Sequence, residues 1–143
     1  MVADSAVRYF CLKIFAVLAA LLLPAAIRVM SLATLMTWLT PRRPTAVPLD
    51  ERALARWVTR ILSALPGPWH LSCLNRSVVL YHLLRAAGRP VELCIGAKRV
   101  GGAQLAAHAW LLLDGAPYLE SESRIVTGLP VVARFPDALA PSA

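Results

Sequence analysis

Residues far apart in this chain have the types that thiol acyl transfer requires. Cys73 stands in "LSCLNRS", His108 in "LAAHAWLLLDG", and Glu120 and Glu122 follow in "YLESES". In that chemistry a thiolate attacks a carbonyl carbon. An imidazole takes the thiol proton and hands it to the leaving amine, while a carboxylate fixes the imidazole tautomer and supports its cationic form. Each residue also has an ordinary explanation. A free cysteine is often a small buried hydrophobe, and a histidine inside a strand is often a core residue with a local hydrogen-bond partner. The elements that carry the residues must separate these readings.

Ser72 is suited to cap a helix over Cys73 to Ala87, "CLNRSVVLYHLLRAA", which Gly88 would close. That helix is apolar nearly all round, as a central helix should be. Cys73 then falls in its first turn, where unpaired amides and the positive end of the helix dipole favour an anion. For a thiol the anion is the thiolate, and the Cys73 N–H becomes the natural oxyanion donor. Arg76, on the same helix, suits either a local acid or a substrate carbonyl.

After Pro90 the segment "VELCIGAKR" alternates as a strand. Gly101–Gly102 marks a turn, Leu105 to Leu113 forms the next strand, and Asp114–Gly115 signals a hairpin whose returning arm begins over Tyr118 to Glu122. A three-residue loop would pair Leu113 with Pro117, set Trp110 opposite Glu120, and set His108 opposite Glu122 and diagonal to Glu120. A two-residue loop would put both glutamates on the wrong face, because a one-residue slip flips every side chain. Trp110 is expected to pack beside His108.

Upstream, Asp50 is a candidate N-cap. Leu54, Trp57, Val58, Ile61, Leu62 and Leu65 then recur on one helical face, with Arg52, Arg56, Thr59, Arg60 and Ser63 on the other. "PGPWHLS" ends that helix. Residues 41–49 are a proline-rich linker. Residues 1–40 are strongly apolar. "IFAVLAALLLPAAI" lies between Lys13 and Arg28, and "VMSLATLMTWLT" follows. Neither run alone reaches the ~18–20 residues of a membrane span, and Pro24 interrupts the first. Two short packed helices with an apolar docking face are expected here. Peripheral membrane attachment and a signal peptide are the alternatives.

The composition narrows the classes. The chain of 143 residues has room for one domain and a modest core. Fifteen Lys and Arg against eight Asp and Glu give a net charge of +7, but the basic residues are spread out and do not interleave with aromatics. That favours an acidic partner or anionic lipid over nucleic acid. Three cysteines without a CxxC give neither a disulfide framework nor a zinc knuckle, which suggests a reducing compartment. A metal site from His70, Cys73, Cys94 and His108 matches no usual zinc spacing. His70 and His82 are expected as surface or helix-packing residues.

The stretch "PWHLSCLNRSVVLYHLLRAAGRPVELCIGA" followed by "AAHAWLLLDGAPYLE" resembles the lasso-peptide maturation protease family, transglutaminase-like cysteine proteases that remove the leader from a lasso precursor. The family pattern is a Cys-Leu-x-Arg-Ser/Ala helix start, a Leu-Leu-Arg-x-x-Gly helix end, an Ile/Val-Gly strand, and Ala-His-Ala-Trp-x-Glu-x-x-Gly. It falls here on Cys73, Leu74, Arg76 and Ser77, on Leu84, Arg85 and Gly88, on Ile95 and Gly96, and on Ala107 to Trp110. The resemblance covers Pro68 to about Glu120, with a looser echo in "VVARFP". Leu112 stands where the family usually has an acid.

The resemblance implies an α+β fold, in which apolar N-terminal helices precede a transglutaminase-like or papain-like core. The catalytic Cys opens a helix packed on a small antiparallel sheet. It implies a core over residues 50–136 with a tail at 137–143. The implied triad is Cys73, His108 and Glu120, the last by its spacing about a dozen residues past the histidine, with Glu122 close behind. The implied substrate is a precursor peptide, and the implied partners are a separate leader-recognition protein and an asparagine-synthetase-like, ATP-dependent macrocyclase. Larger members carry a leader-recognition domain for which this chain has no room, so the stand-alone form is expected. It would be cytoplasmic, with peripheral membrane contact through residues 6–40 as an option, and would bind no nucleic acid. Thiol chemistry needs no cofactor and no metal. The competing expectation is a non-catalytic, membrane-associated scaffold or binding protein of the same fold.

Overall fold

The computed structural model describes residues 2–44, 46, 48–67, 72–120 and 128–136. Four helices precede and flank a four-stranded sheet: α1 (Val2–Val29), α2 (Leu32–Leu39), α3 (Glu51–Ala64), α4 (Cys73–Ala86), β1 (Glu92–Arg99), β2 (Leu105–Leu113), β3 (Ala116–Tyr118) and β4 (Val131–Phe135). The sheet is antiparallel in the order β3-β2-β1-β4. This is the expected α+β architecture.

Local signals account for the helix starts. Asp50 Oδ1 accepts from Ala53 N–H at 2.9 Å and opens α3. The Ser72 hydroxyl accepts from Asn75 N–H at 3.1 Å and opens α4. Gly88, at φ 85°, closes α4 in the left-handed region. The apolar face of α3 buries Leu54, Ala55, Val58 and Leu62. Helix α4 is the centre of the molecule and packs against β1, β2, α3 and α1. Seven of its consecutive or near-consecutive positions, from Ser77 through Tyr81 to Leu83 and Leu84, are buried. Ser77 Oγ donates to the Ala109 carbonyl at 3.0 Å, which ties α4 to β2.

The N-terminal segment departs from expectation. α1 does not stop at Pro24 but runs as one helix from Val2 to Val29. Its 20-residue stretch Phe10–Val29, with mean hydropathy 2.4, is long and apolar enough by length and composition to cross a membrane. Part of it is nevertheless core. Ala16, Ala20 and Leu23 recur at helical spacing and are buried with Leu35 and Met36 of α2 and with residues of α3, α4, β1 and β2. Packing on both sides of Pro24 outweighs the helix-breaking tendency of one proline. The opposite stripe of Phe10, Ile14, Leu18 and Leu22 is exposed, as is Trp38 of α2.

The hairpin register also differs. Leu113 pairs with Ala116, Leu112 with Pro117 and Leu111 with Tyr118, so the loop is the two-residue Asp114–Gly115. Both residues have positive φ, 52° and 79°, the conformation of the tight turn that Asp-Gly favours. The returning strand ends at Tyr118 rather than continuing to Glu122. Strand β4, under the "VVARFP" echo, adds to the free edge of β1 with a register shift between Ile95 and Gly96.

Candidate active site

Cys73 is the first residue of α4, half-buried, and packs against the core. Ser77 lies one turn further along the same face, and its bond to the Ala109 carbonyl sets that face against β2 next to His108. Among the described residues no hydrogen bond links the Cys73 thiol to His108. Such bonds are commonly long before substrate arrives.

His108 sits in β2, directly across from Gly96 in β1. Its ring stacks on Trp110, with centroids 5.9 Å apart and planes 12° from parallel. The Trp110 ring in turn passes over Gly96. A Cβ at that position would stand 3.0 Å from the indole, a tight contact, and 2.9 Å from Leu129 Cβ, closer than real Cβ atoms approach. Gly96 is therefore the space into which the support for His108 fits.

Glu120 reaches the same place by an unexpected route. With a two-residue loop, simple alternation would turn it away from His108. But Leu119 adopts φ 56°, which ends the alternation after Tyr118. A non-glycine residue in that region is held there by its surroundings, and Arg76 does the holding. Its Nη2 donates to the Leu119 carbonyl at 2.7 Å and its Nη1 to Glu120 Oε1 at 2.9 Å. Its Nε donates to Thr59 Oγ1 at 3.1 Å, and that hydroxyl donates on to the Ala55 carbonyl at 2.9 Å. The second oxygen, Glu120 Oε2, lies 3.8 Å from His108 Nε2. The side chains of Arg76, His108 and Glu120 are 11%, 11% and 3% exposed, so the whole group is withdrawn from water.

At 3.8 Å the Glu120–His108 approach is too long for a hydrogen bond. His108 Nε2 is accordingly buried without a partner. A buried polar atom left unpaired costs on the order of 1–3 kcal/mol and calls for a reason. Here the reason is geometric. Arg76 holds the carboxylate through its other oxygen, so Glu120 stands beside the imidazole without closing on it. A proton on His108 would create a cation next to that carboxylate, and a movement of about 1 Å would give a charge-assisted bond.

The three expected residues are thus partly gathered. His108 and Glu120 meet, and Cys73 opens the helix that anchors beside His108. Glu122 lies outside the described residues, as does His70. Arg76, open between two roles in the sequence, goes to the local acid. Thr59 and Gly96 had no assigned task. Thr59 was legible only as part of the polar face of α3, and Gly96 only through the Ile-Gly motif. Cys94 is buried in β1, and that burial pushes its thiol up from the ordinary range. His82 packs as a helix residue. Its ring stacks on Phe15 at 4.7 Å and Nδ1 meets the Leu39 carbonyl at 2.6 Å, with burial driving its pKa down. Among the described residues no group of three His, Cys, Asp or Glu side chains could hold a metal ion.

The family profile of the transglutaminase-like superfamily matches residues 17–131. The chain belongs to the transglutaminase-like superfamily. The matched range begins within α1 and ends at the start of β4, so it takes in the helix that opens with Cys73 and the strand that carries His108. No curated protein and no solved structure gives a match. This superfamily includes cysteine peptidases.

Proposed function

We propose that this member of the transglutaminase-like superfamily is a cysteine endopeptidase that removes the leader from a lasso-peptide precursor, with Cys73 as nucleophile, His108 as general base and acid, and Glu120 as the orienting carboxylate. The observation that carries the reading is the buried approach of Glu120 Oε2 to His108 Nε2, made beside the helix that Cys73 opens. With Nε2 turned toward Glu120, Nδ1 is the nitrogen that serves the thiol. His108 takes the thiol proton and the thiolate attacks the scissile carbonyl. The Cys73 N–H, in the first turn of α4 and so without an intrahelical acceptor, faces the oxyanion. The imidazolium gives its proton to the leaving amine. Water, activated by the same imidazole, then releases the acyl group and restores the thiol.

In this reading the chain is a cytoplasmic enzyme. It works with a separate leader-recognition protein and an asparagine-synthetase-like macrocyclase, and the exposed stripe of α1 with Trp38 is the docking face for one of them. The resemblance of "SCLNRS" and "AHAW" to the lasso maturation proteases supports the choice of substrate. The test is cleavage of a lasso precursor by the purified full chain with its leader-binding partner. Cys73→Ala and His108→Ala are each expected to lower the rate by at least ~10³-fold while the fold is kept. Near-wild-type cleavage by either variant would sink the assignment and leave the non-catalytic scaffold.

A further inference from the structure

A cleft of about 840 Å³ opens between α3, the first turns of α4 and β3. One wall carries Arg52, Arg56 and Arg60, and the other is formed by Pro117, Tyr118 and Leu119, with Arg76 and Glu120 where the walls meet. The three arginines of α3 are exposed, and among the described residues no ion pair involves them. Among the described residues, four acids are engaged elsewhere. Asp50 caps α3, Glu51 pairs with Arg89, Glu92 with Arg134, and Glu120 with Arg76. Like charges at i, i+4 weaken a helix, so the row gains nothing for α3 itself. It is a concentrated share of a chain-wide charge of +7.

We propose that this cleft binds an acidic segment of the peptide substrate in extended conformation, with carboxylates at alternate residues set on Arg52, Arg56 and Arg60. The spacing suits that ligand. Four helical residues rise about 6.0 Å, and two residues of an extended chain advance about 6.6–6.8 Å. Alternate side chains of a strand therefore stay in step with the row for three contacts. Guanidinium groups take carboxylates through two parallel bonds, which a lysine cannot do. β3 is an edge strand whose outward-facing residue is Pro117, which offers a carbonyl but no N–H, so the opposite wall meets the peptide chiefly through the side chains of Pro117, Tyr118 and Leu119. At the inner end of the cleft Arg76 is already paired with Glu120, so a longer polyanion finds no further free cation there. A peptide lying along α3 with its acidic residues outermost is led by that inner end to the His108–Glu120 pair.

The inference rests on the peptidase reading for where the peptide leads, so its test is binding to the full-length Cys73→Ala chain, which does not depend on turnover. The probe is a blocked, fluorescein-labelled Glu–Ala repeat of about eight residues, read by anisotropy against the matching Gln–Ala repeat. The Glu–Ala peptide is expected to bind at least about ten-fold tighter, to weaken as salt rises, and to lose that advantage in R52Q/R56Q/R60Q. The triple lysine variant is expected to fall between. Equal affinity for the two peptides, or unchanged binding in the triple glutamine variant, would overturn the proposal. Tighter binding of a single-stranded oligonucleotide or of anionic phospholipid vesicles to the same arginines would overturn the peptide as occupant. Loss of cleavage in Cys73→Ala, by contrast, bears only on the assignment of the nucleophile.

Discussion

Helix α4 serves two surfaces of opposite character. Arg76 faces a cleft lined by three further arginines and Glu120. One turn on, Val78, Val79 and His82 line a groove with Phe15, Leu18, Leu22 and Trp38, where almost every side chain is apolar. The first region holds a buried charge network, so each member depends on the others. The second combines buried residues such as Leu23, Leu35 and Val79 with exposed ones such as Leu22 and Trp38, and the exposed ones can change alone. The polar cluster is the fragile part of this small fold. It determines the position of Glu120, while the apolar groove adds area without dictating geometry.

Arg76 is where the two regions should differ most. Arg76→Met leaves the Glu120 carboxylate, 3% exposed, without its cation, and is expected to cost about 3–5 kcal/mol in urea unfolding. Adding Glu120→Gln in that background should restore part of the loss, because the two changes share one interaction. The exposed pair of Arg134 and Glu92 gives the contrast, with Glu92→Gln expected to cost less than about 1 kcal/mol. Similar costs for Arg76→Met and Glu92→Gln would erase the distinction.

A smaller effect on stability is expected in the apolar region. Leu22 and Trp38 are 66% and 77% exposed, so Leu22→Ser and Trp38→Ser should shift stability by no more than about 0.5 kcal/mol. If the face docks a partner, the same changes should lower partner-dependent cleavage about ten-fold, with basal cleavage unchanged. Unaltered partner dependence, with reduced binding to lipid vesicles, would make the face a membrane contact. Truncating the segment is a poorer experiment, since Ala16, Ala20, Leu23, Leu35 and Met36 belong to the core.

The smallest effect concerns His82, which lies in the apolar groove. Burial lowers its pKa below the ordinary value of about 6.5. The unfolded chain therefore binds a proton that the folded chain refuses, and stability is lost as pH falls from about 6.5 toward the lowered value. His82→Gln is expected to flatten the melting temperature over that window relative to wild type. An unchanged slope would assign the acid sensitivity to another group.

Much of this was legible locally. Ser72, Cys73 and Gly88 bound α4 as read from caps alone, and Asp50 and the apolar face did the same for α3. The limits of β2 and the Asp114–Gly115 turn also followed from short-range signals. The continuity of α1 did not, because a helix apolar on every side offers no stripe from which to read its packed face. Nor did the hairpin register, because Asp-Gly is compatible with more than one loop length until the strands pair.

Cys73 at a helix start and His108 inside a strand follow from caps, turns and alternation, which act over a few residues. Glu120 faces His108 only through packing between distant segments. That depends on Leu119 leaving the strand conformation and on Arg76, from another helix, gripping both the Leu119 carbonyl and the Glu120 carboxylate. Contacts between residues so far apart in the chain leave no periodic trace, and a single residue with positive φ cancels the face counting on which strand arguments rest.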